Sequence, residues 1–254
     1  MSSLHTIASR PVLGRATVLG RAGVAAMLLA LAVGIPLGVL AAIRRDGWFD
    51  RLATVATLLG VSMPGFWFGI LAILIFSVML GLFPVSGRIG YSSEVPFVTG
   101  MLLIDTLVAG KPAAFVEALR HLALPATTLG LAMAALLARV TRSAMIEALR
   151  QDYIVFAEAK GLSRARVVLR HALKNALIPT VTVAAIETGT LLGGNMIVET
   201  VFGWPGLGRL VVEAIFTRNY PIVQAAVLLY ALTYVLLNLV ADILYTILNP
   251  RVRM

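Results

Sequence analysis

Cysteine is absent from this chain of 254 residues, and charged residues make up only 13% of it. Without cysteine, the chain has no disulfide, no thiolate metal ligand and no catalytic thiol. Soluble domains carry about 25% charged residues, so a fraction this low excludes an ordinary soluble domain. What is present instead is apolar: 59% of the residues are hydrophobic, and the mean hydropathy is +0.94. The composition predicts a helical protein that crosses a membrane several times.

The motifs of several enzyme classes are also absent. The sequence has no Gly-rich loop ending in Gly-Lys-Ser/Thr, no His-Glu-x-x-His helix and no Gly-x-Ser-x-Gly elbow. The three histidines, His5, His121 and His171, are scattered along the chain. We therefore predict that the chain is not an enzyme, has no catalytic residue or metal site, and binds no cofactor itself. The net charge of +9 is explained by cytoplasmic loops of a membrane protein, so no nucleic-acid binding is expected.

Long uncharged stretches indicate where the chain crosses the bilayer. A hydrocarbon core of about 30 Å requires roughly 20 apolar residues in a helix. We predict an all-α polytopic bundle that forms a single domain over residues 1–254. Its five spans are expected at 22–43, 55–80, 122–142, 176–198 and 223–248. The short stretch 95–109 contains Pro96 and Asp105 and is interpreted as lying outside the bilayer.

Lysine and arginine indicate the orientation, because they concentrate in cytoplasmic loops. Basic residues cluster between the first two spans, in the loop 143–177 and its flanks, and at the C-terminus. Fewer lie in the alternate loops, 83–121 and 199–222. We therefore place the loop 143–177 and the C-terminus in the cytoplasm, and the other two loops outside. With five spans the N-terminus lies outside, although it carries Arg10, Arg15 and Arg21.

The loop 143–177 is unusual because it combines basic residues with helical apolar spacing. Gly161 is expected to end a first helix, and Ser163 is expected to cap a second one. The apolar positions predicted to share a stripe are Met145, Leu149, Ile154 (or Tyr153) and Ala157 before the turn, and Val167, Leu169, Leu173 and Leu177 after it. An apolar stripe outside the bilayer requires a cover. Two covers stay open: anionic lipid beneath an amphipathic helix, or a soluble partner docked on a helix.

Most of the chain resembles the B-type permease of ABC importers in the dipeptide, oligopeptide and nickel uptake group. The resemblance lies in "GIPLGVLAAIRRDGWFDR", "GVSMPGFWFGI" and "LFPVSGR" early in the chain, and in "HLALPATTLGLAMAALLARVTRSAMIEALRQDYIVFAEAKGLS" at its centre. It continues in "ETVFGWPGLGRL", "RNYPIVQAAVLL" and "NLVADILYTILNPRVR". The chain departs from the general signature of such permeases: Val155, Phe156 and Ala157 stand where that signature has Glu-Ala-Ala, and its Leu-Pro is replaced by a later Ile178-Pro179.

This resemblance implies a permease subunit in a bacterial inner membrane that takes up peptides or a related small solute. The implied partners are a second, C-type permease, two ATPase subunits that bind ATP and Mg, and an extracytoplasmic substrate-binding protein. Such permeases usually have six spans, so the chain is expected to begin inside the outer loop after a missing first span. The residues implied to couple it to the ATPase are Ala157, Glu158, Ala159, Lys160, Gly161, Leu162 and Ser163.

Two further groups of residues are candidates for the transport path. Glu187 lies near the middle of an apolar span, where an ionised carboxylate is costly unless it faces a cavity or partner. We expect Glu187 and Asn195 to line the path, and Trp204, Pro205 and Gly206 to form an outer gate or a contact for the binding protein. Two alternatives stay open: an ion- or proton-coupled secondary transporter that uses Glu187, and a scaffold that anchors a cytoplasmic enzyme.

Overall fold

The structure, a computed structural model, describes residues 2–90, 95–96, 102–192, 196–204 and 206–248. Within these ranges all regular secondary structure is helical. The helices, in chain order, are α1 (Ser2–Ile43), α2 (Trp48–Ser62), α3 (Gly65–Ala72), α4 (Leu102–Val108), α5 (Pro112–Ala148), α6 (Asp152–Ala159), α7 (Arg164–Arg166), α8 (Leu173–Leu192), α9 (Met196–Val201), α10 (Leu207–Phe216) and α11 (Tyr220–Leu248). Two π-helical segments continue α3 and α7, at Ile73–Met79 and Val167–Ala172.

The predicted span 55–80 is divided between two helices, α2 and α3. Met63 and Pro64 separate them with extended backbone, at ψ angles of 129° and 130°. The physical reason is proline, which lacks an N–H and disfavours helical backbone in the residue before it. The break therefore follows from Pro64. The sequence-based prediction placed one span here because it gave more weight to the hydropathy of the segment than to this proline.

Length and composition identify the helices that could cross a bilayer. Among the described residues these are Ala22–Ile43, Pro112–Ala148 and Tyr220–Val240, with α2 and the α3 segment as a fourth if the broken pair counts as one span. The predicted span 176–198 falls on α8 and α9, with residues 193–195 outside the described ranges. The number of five spans stays a prediction.

The chain divides into two compact units, to each of which α1, α5, α8 and α11 contribute residues. The first unit comprises Met1–Ala26, Pro64–Leu129 and Gly189–Val235, and so contains the predicted outer loops. The second unit comprises Met27–Met63, Gly130–Thr188 and Leu236–Met254, and so contains the predicted cytoplasmic loop. The predicted coupling residues 157–163 therefore belong to the second unit, and the predicted outer residues 204–206 belong to the first.

In the second unit, small residues let α1 approach α5 closely. A Cβ atom on Gly34 would lie 3.0 Å from the Cβ of Leu137, and one on Gly38 would lie 2.7 Å from the Cβ of Thr141. Gly34 and Gly38 sit four residues apart, which is the spacing that brings membrane helices into backbone contact. The buried hydroxyls of Thr141 on α5 and Thr180 on α8 are 3.1 Å apart and share a hydrogen bond. These contacts tie three long helices together where the predicted cytoplasmic loop begins.

In the first unit, Phe202 fills the centre of an apolar core. Its side chain is 2% exposed, and its ring lies where a Cβ on Gly69 would be 3.2 Å away. Ala72, Leu122 and Val198 belong to the same core. Because Phe202 immediately precedes Gly203 and Trp204, this packing fixes the position of these two residues.

Candidate functional site

The turn at Gly161 has the hydrogen-bond pattern of a Schellman C-cap. The Gly161 N–H donates to the Glu158 carbonyl at 2.9 Å, and the Leu162 N–H donates to the Ala157 carbonyl at 3.4 Å. The φ angle of Gly161 is +78°, in the left-handed region. Leu162 packs against the core that contains Ala157, which is the apolar contact expected of this motif. The turn that the sequence predicted at Gly161 is present.

Helix α6 has two apolar faces: one packs against the protein core, and the other is exposed at the protein surface. Ile154 and Ala157 are buried, at 2% and 6% exposure, in a core with Val39 of α1 and Met145 of α5. Val155 and Phe156 are about three-fifths exposed. A surface of this kind needs a cover, because exposed apolar patches on one helix face are typical of interaction sites.

The structure places the predicted coupling residues on both sides of this helix. Ala157 is buried and Leu162 is partly buried, so these two anchor the turn. The outward-facing members are Glu158, Ala159, Lys160, Gly161 and Ser163. The Lys160 ammonium lies 4.4 Å from the centroid of the Phe156 ring, a cation–π contact. The sequence-based prediction omitted Val155 and Phe156, although helical spacing places them opposite Ile154 and Ala157.

The helix after the turn buries part of the predicted stripe: Val167 is buried and Leu173 packs against the same core. Leu169 was expected in the apolar stripe but is 62% exposed. The buried residues are Val167, Val168, Ala172 and Ala176. Leu169 lies two residues after Val167, inside the π-helical segment Val167–Ala172, and helix residues two positions apart do not share a face.

The start of this helix also differs from the prediction. Ser163 occupies the N-cap position, but its side chain makes no capping hydrogen bond. Its carbonyl accepts a hydrogen bond from the Val167 N–H at 3.0 Å. Arg164, Arg166, Arg170 and Lys174 are exposed. The loop therefore offers basic side chains next to the apolar surface of Val155, Phe156 and Leu169.

A buried ion pair fixes the base of the loop, and sequence reasoning missed it. Asp50 on α2 is 3% exposed and accepts two hydrogen bonds from Arg142 on α5, one from Nε and one from Nη2 at 2.7 Å. The same carboxylate accepts the Asp46 N–H at 2.9 Å, which holds the turn between α1 and α2. The two residues are separated by 92 positions, so no local spacing could have indicated the pair.

Trp204 and Gly206, the described members of the predicted outer group, are both buried near Glu199. Trp204 is 8% exposed, and its backbone N–H donates to the Glu199 carbonyl at 2.8 Å. Glu199 Oε2 accepts the Arg209 N–H at 2.9 Å, near the start of α10, which Gly206 caps. Pro205 lies outside the described residues. The ring of Trp204 faces the core, so an outer partner would meet the turn through other atoms.

The predicted path residues are described only in part. Glu187 is partly buried on α8, between buried Ala184 and buried Gly189. Asn195 lies outside the described residues, as does the side chain of Asp242. In the described part of the chain, no three His, Asp or Glu residues group together as metal ligands would.

Comparisons with known proteins converge on one family. A profile described as "Binding-protein-dependent transport system inner membrane component" matches residues 34–254. The chain is 50% identical over 229 residues to the "Di/tripeptide transport system permease protein DppB" of Pseudomonas aeruginosa (strain UCBPP-PA14), covering 90% of this chain and 68% of that protein. It is 48% identical over 234 residues to the "Dipeptide transport system permease protein DppB" of Escherichia coli (strain K12), covering 91% and 69%.

Similarity extends to another transport system and to a solved fold. The "Glutathione transport system permease protein GsiC" of Escherichia coli O1:K1 / APEC is 40% identical over 230 residues, covering 91% of this chain and 66% of that protein. An inward-facing structure of the MetNI methionine ABC transporter matches with a TM-score of 0.68 at 19% identity, covering 94% of this chain and 96% of that one. At that identity the likeness concerns the fold alone, and it confirms the predicted all-α membrane fold.

Proposed function

The chain belongs to the family of inner membrane components of binding-protein-dependent transport systems, and on that premise we propose that its substrates are short peptides. It is a permease subunit of an ABC importer of the peptide group, as the resemblance implied. The related permeases named for dipeptides and for di- and tripeptides support a short peptide over a sugar or a nickel chelate. The same similarity favours the importer over an ion-coupled transporter that uses Glu187.

The proposed energy source is ATP hydrolysis by partner subunits. The chain carries no phosphate-binding loop motif, so ATP and Mg are assigned to two ATPases. A second, C-type permease completes the path, and an extracytoplasmic binding protein delivers the peptide. We place the assembly in a bacterial inner membrane, with the C-terminus of this chain in the cytoplasm.

The observation that supports this mechanism best is the two-faced helix α6. Its inner face shares a core with α1, α5 and the helix after the turn, and its outer face exposes Val155 and Phe156 beside Lys160. We propose that the outer face docks in an apolar cleft of the ATPase. When ATP closes the two ATPases, the docked helix moves, and the core behind it carries the motion to the spans.

Docking is tested with one exposed apolar residue of α6 and one matched control position. Phe156→Ala should weaken retention of the ATPase and lower peptide-stimulated ATP hydrolysis, because it removes a large apolar group from the proposed contact. Leu232→Ala, on the similarly exposed surface of α11, serves as the control. Full ATPase retention in the Phe156 variant, or equal losses in both variants, would contradict docking through α6.

The substrate is tested by reconstitution. The chain, its permease and ATPase partners and the binding protein are placed in proteoliposomes, and uptake of radiolabelled alanyl-alanine is measured. We expect uptake that requires ATP and the binding protein. Uptake driven by an ion gradient without ATPases would refute the mechanism, and saturable ATP-driven uptake of another solute class with no peptide uptake would refute the substrate.

Orientation is tested with the natural absence of cysteine, which makes every introduced thiol unique. A cysteine at position 165, between exposed Arg164 and Arg166, should react with an impermeant reagent only after permeabilisation. A cysteine at position 8 should react from outside. Reaction of both from one side would overturn the proposed orientation.

Glu187 is proposed to line the path and to favour cationic groups. A carboxylate facing lipid at mid-depth would cost several kcal/mol, whereas a water-lined path avoids that cost. Glu187→Gln should therefore slow uptake of a lysine-containing dipeptide more than uptake of alanyl-alanine. An equal change for both peptides would remove Glu187 from selectivity and leave it a packing role.

A further inference from the structure

A small cavity lies in the first unit, and Trp204 of the predicted outer group forms part of its wall. It is lined by Arg88, Leu102, Leu103, Ala118, Leu122 and Trp204. Its volume is about 20 Å³. A volume of this size accommodates one water molecule or a group of similar size, so a whole side chain would not enter it.

Arg88 supplies charge and hydrogen-bond donors to this cavity. The residue is partly buried, and this burial lowers the pKa of its guanidinium, while the negative charge of Asp105 opposes that shift. Asp105 is itself 2% exposed, so the two charges lie in a region with little water. A guanidinium has five N–H donors, and one carboxylate engages two of them in a bidentate pair. Arg88 can therefore serve Asp105 and a second acceptor together.

Trp204 supplies a second donor to the same cavity. Its indole Nε1 is buried and has no hydrogen-bond partner within the described part of the chain. Buried donors without an acceptor are rare because they lose their water without compensation. The apolar walls from Leu102, Leu103 and Leu122 offer no side-chain acceptor. The cavity thus combines one cationic donor group, one neutral donor and apolar sides.

We infer that this cavity is a carboxylate-binding subsite, and that it takes the C-terminal carboxylate of the transported peptide. A carboxylate accepts hydrogen bonds and donates none, which complements Arg88 and Trp204. A guanidinium binds the two oxygens of a carboxylate in bidentate fashion. The terminal carboxylate is common to all peptides whatever their side chains, so such a subsite suits an importer of varied peptides. The inference rests on the proposed peptide substrate.

The test uses Trp204 as its own reporter. The chain has three tryptophans, and Trp48→Phe with Trp67→Phe leaves only Trp204. The full chain in lipid nanodiscs, without the binding protein, is titrated with alanyl-alanine, its C-terminal amide and acetate while the emission is recorded. We expect a saturable change with the free acids and none with the amide. Equal responses to acid and amide would overturn the assignment of a carboxylate.

Variants separate the subsite from general effects. Arg88→Gln should weaken the response to alanyl-alanine by roughly 10- to 100-fold, the range for losing a hydrogen bond to a charged group. Arg120→Gln, an exposed arginine on α5, is the matched control and should leave the response unchanged. Circular dichroism confirms that each variant keeps its helices. An unchanged affinity in Arg88→Gln would refute the inference.

Two further measurements identify the source of the carboxylate. In proteoliposomes that take up alanyl-alanine, Arg88→Gln should raise KM; an unchanged KM would refute the subsite and leave the proposed function intact. If Arg88→Gln instead weakens association with the binding protein while no free acid alters the Trp204 emission, the carboxylate belongs to an acidic side chain of that protein and the peptide assignment is overturned. Trp204→Phe, followed by calorimetry, should weaken acid binding less than Arg88→Gln does, because it removes a neutral donor.

Discussion

The strongest prediction concerns Gly161, because the structure isolates a single physical cost at this position. Its φ angle is +78°, and a Cβ built there meets nothing within 4 Å. A side chain at this position would therefore be strained by the backbone alone and not by a clash. Left-handed backbone costs an ordinary L-residue roughly 1–2 kcal/mol. A change of that size alters the population of the native turn by a factor of about 5 to 30.

The identity of the replacement should decide the effect. Gly161→Val places a β-branched residue in left-handed backbone and should have the full cost or more, whereas Gly161→Asn should be tolerated better because asparagine adopts this region more readily. We expect uptake and peptide-stimulated ATPase activity to fall in the order glycine, asparagine, valine. Asparagine and valine variants with equal activity would show that the left-handed backbone of Gly161 does not determine uptake or ATPase stimulation.

A second turn in the chain provides a matched control. Gly110 follows α4 with a φ angle of +63° and nothing within 4 Å of its Cβ position. Its N–H donates to Leu107 and the Lys111 N–H donates to Thr106, both at 3.0 Å, so the capping pattern is that of Gly161. Gly110→Val should destabilise its turn by a similar amount but leave ATP hydrolysis coupled to uptake.

The assay compares the number of peptides imported per ATP hydrolysed. In the Gly161→Val complex this ratio, or the retention of the ATPase, should fall, whereas in the Gly110→Val complex it should stay at the wild-type value. Wild-type uptake and ATPase stimulation in Gly161→Val would refute the role of the turn. Equal losses in both variants would show that only general stability is affected.

Three further changes test the packing behind these sites. Asp50→Ala should lower the free energy of unfolding by about 1–3 kcal/mol, because partly exposed Arg142 loses its carboxylate partner, and melting in detergent measures this loss. Gly38→Val should be destabilising by about 1–3 kcal/mol or more, because even its Cβ would press on the backbone of α5; Gly65→Ala, with open space around it, is the control. Gly206→Ala should clash with the Glu199 carboxylate, and a double-mutant cycle with Glu199→Ala should show non-additivity of about 0.5–3 kcal/mol.

Signals that act over a few residues were sufficient to predict part of the site. Composition and long apolar runs predicted a helical membrane fold, which the comparison with a solved permease fold confirms. Gly161 followed by Ser163 predicted a helix end and a new helix start. The turn is present, with Gly161 in left-handed backbone and with hydrogen bonds to the carbonyls of Glu158 and Ala157.

Features that depend on phase or on distant residues could not be predicted in the same way. Leu169 was assigned to the buried face with Val167, although residues two positions apart in a helix do not share a face, and the buried residues of this segment are Val167, Val168 and Ala172. Trp204 looked like a surface residue of a turn, yet it is buried against residues from distant parts of the chain. The pair of Asp50 and Arg142 depends on the packing of α2 against α5, which neither local sequence contains.

The second unit also indicates which part of the chain must move when α6 is displaced. Ile154 and Ala157 share one core with Val39 of α1, Met145 of α5 and Ala172 of the helix that follows the turn. Packed cores shift as bodies and do not deform continuously, since small gaps already lose contact energy. A force applied to α6 is therefore passed to α1, α5 and the start of α8 together.

The ion pair extends that body to α2. Asp50 lies near the start of α2, and its two hydrogen bonds to Arg142 hold the helix to α5 just before the loop begins. Beyond Ser62 the backbone is extended at Met63 and Pro64, so the regular hydrogen bonds of α2 do not continue into α3. Extended backbone at a proline changes direction more readily than helix does. The chain passes from one unit to the other at this break, whereas its other passages between the units lie inside α1, α5, α8 and α11.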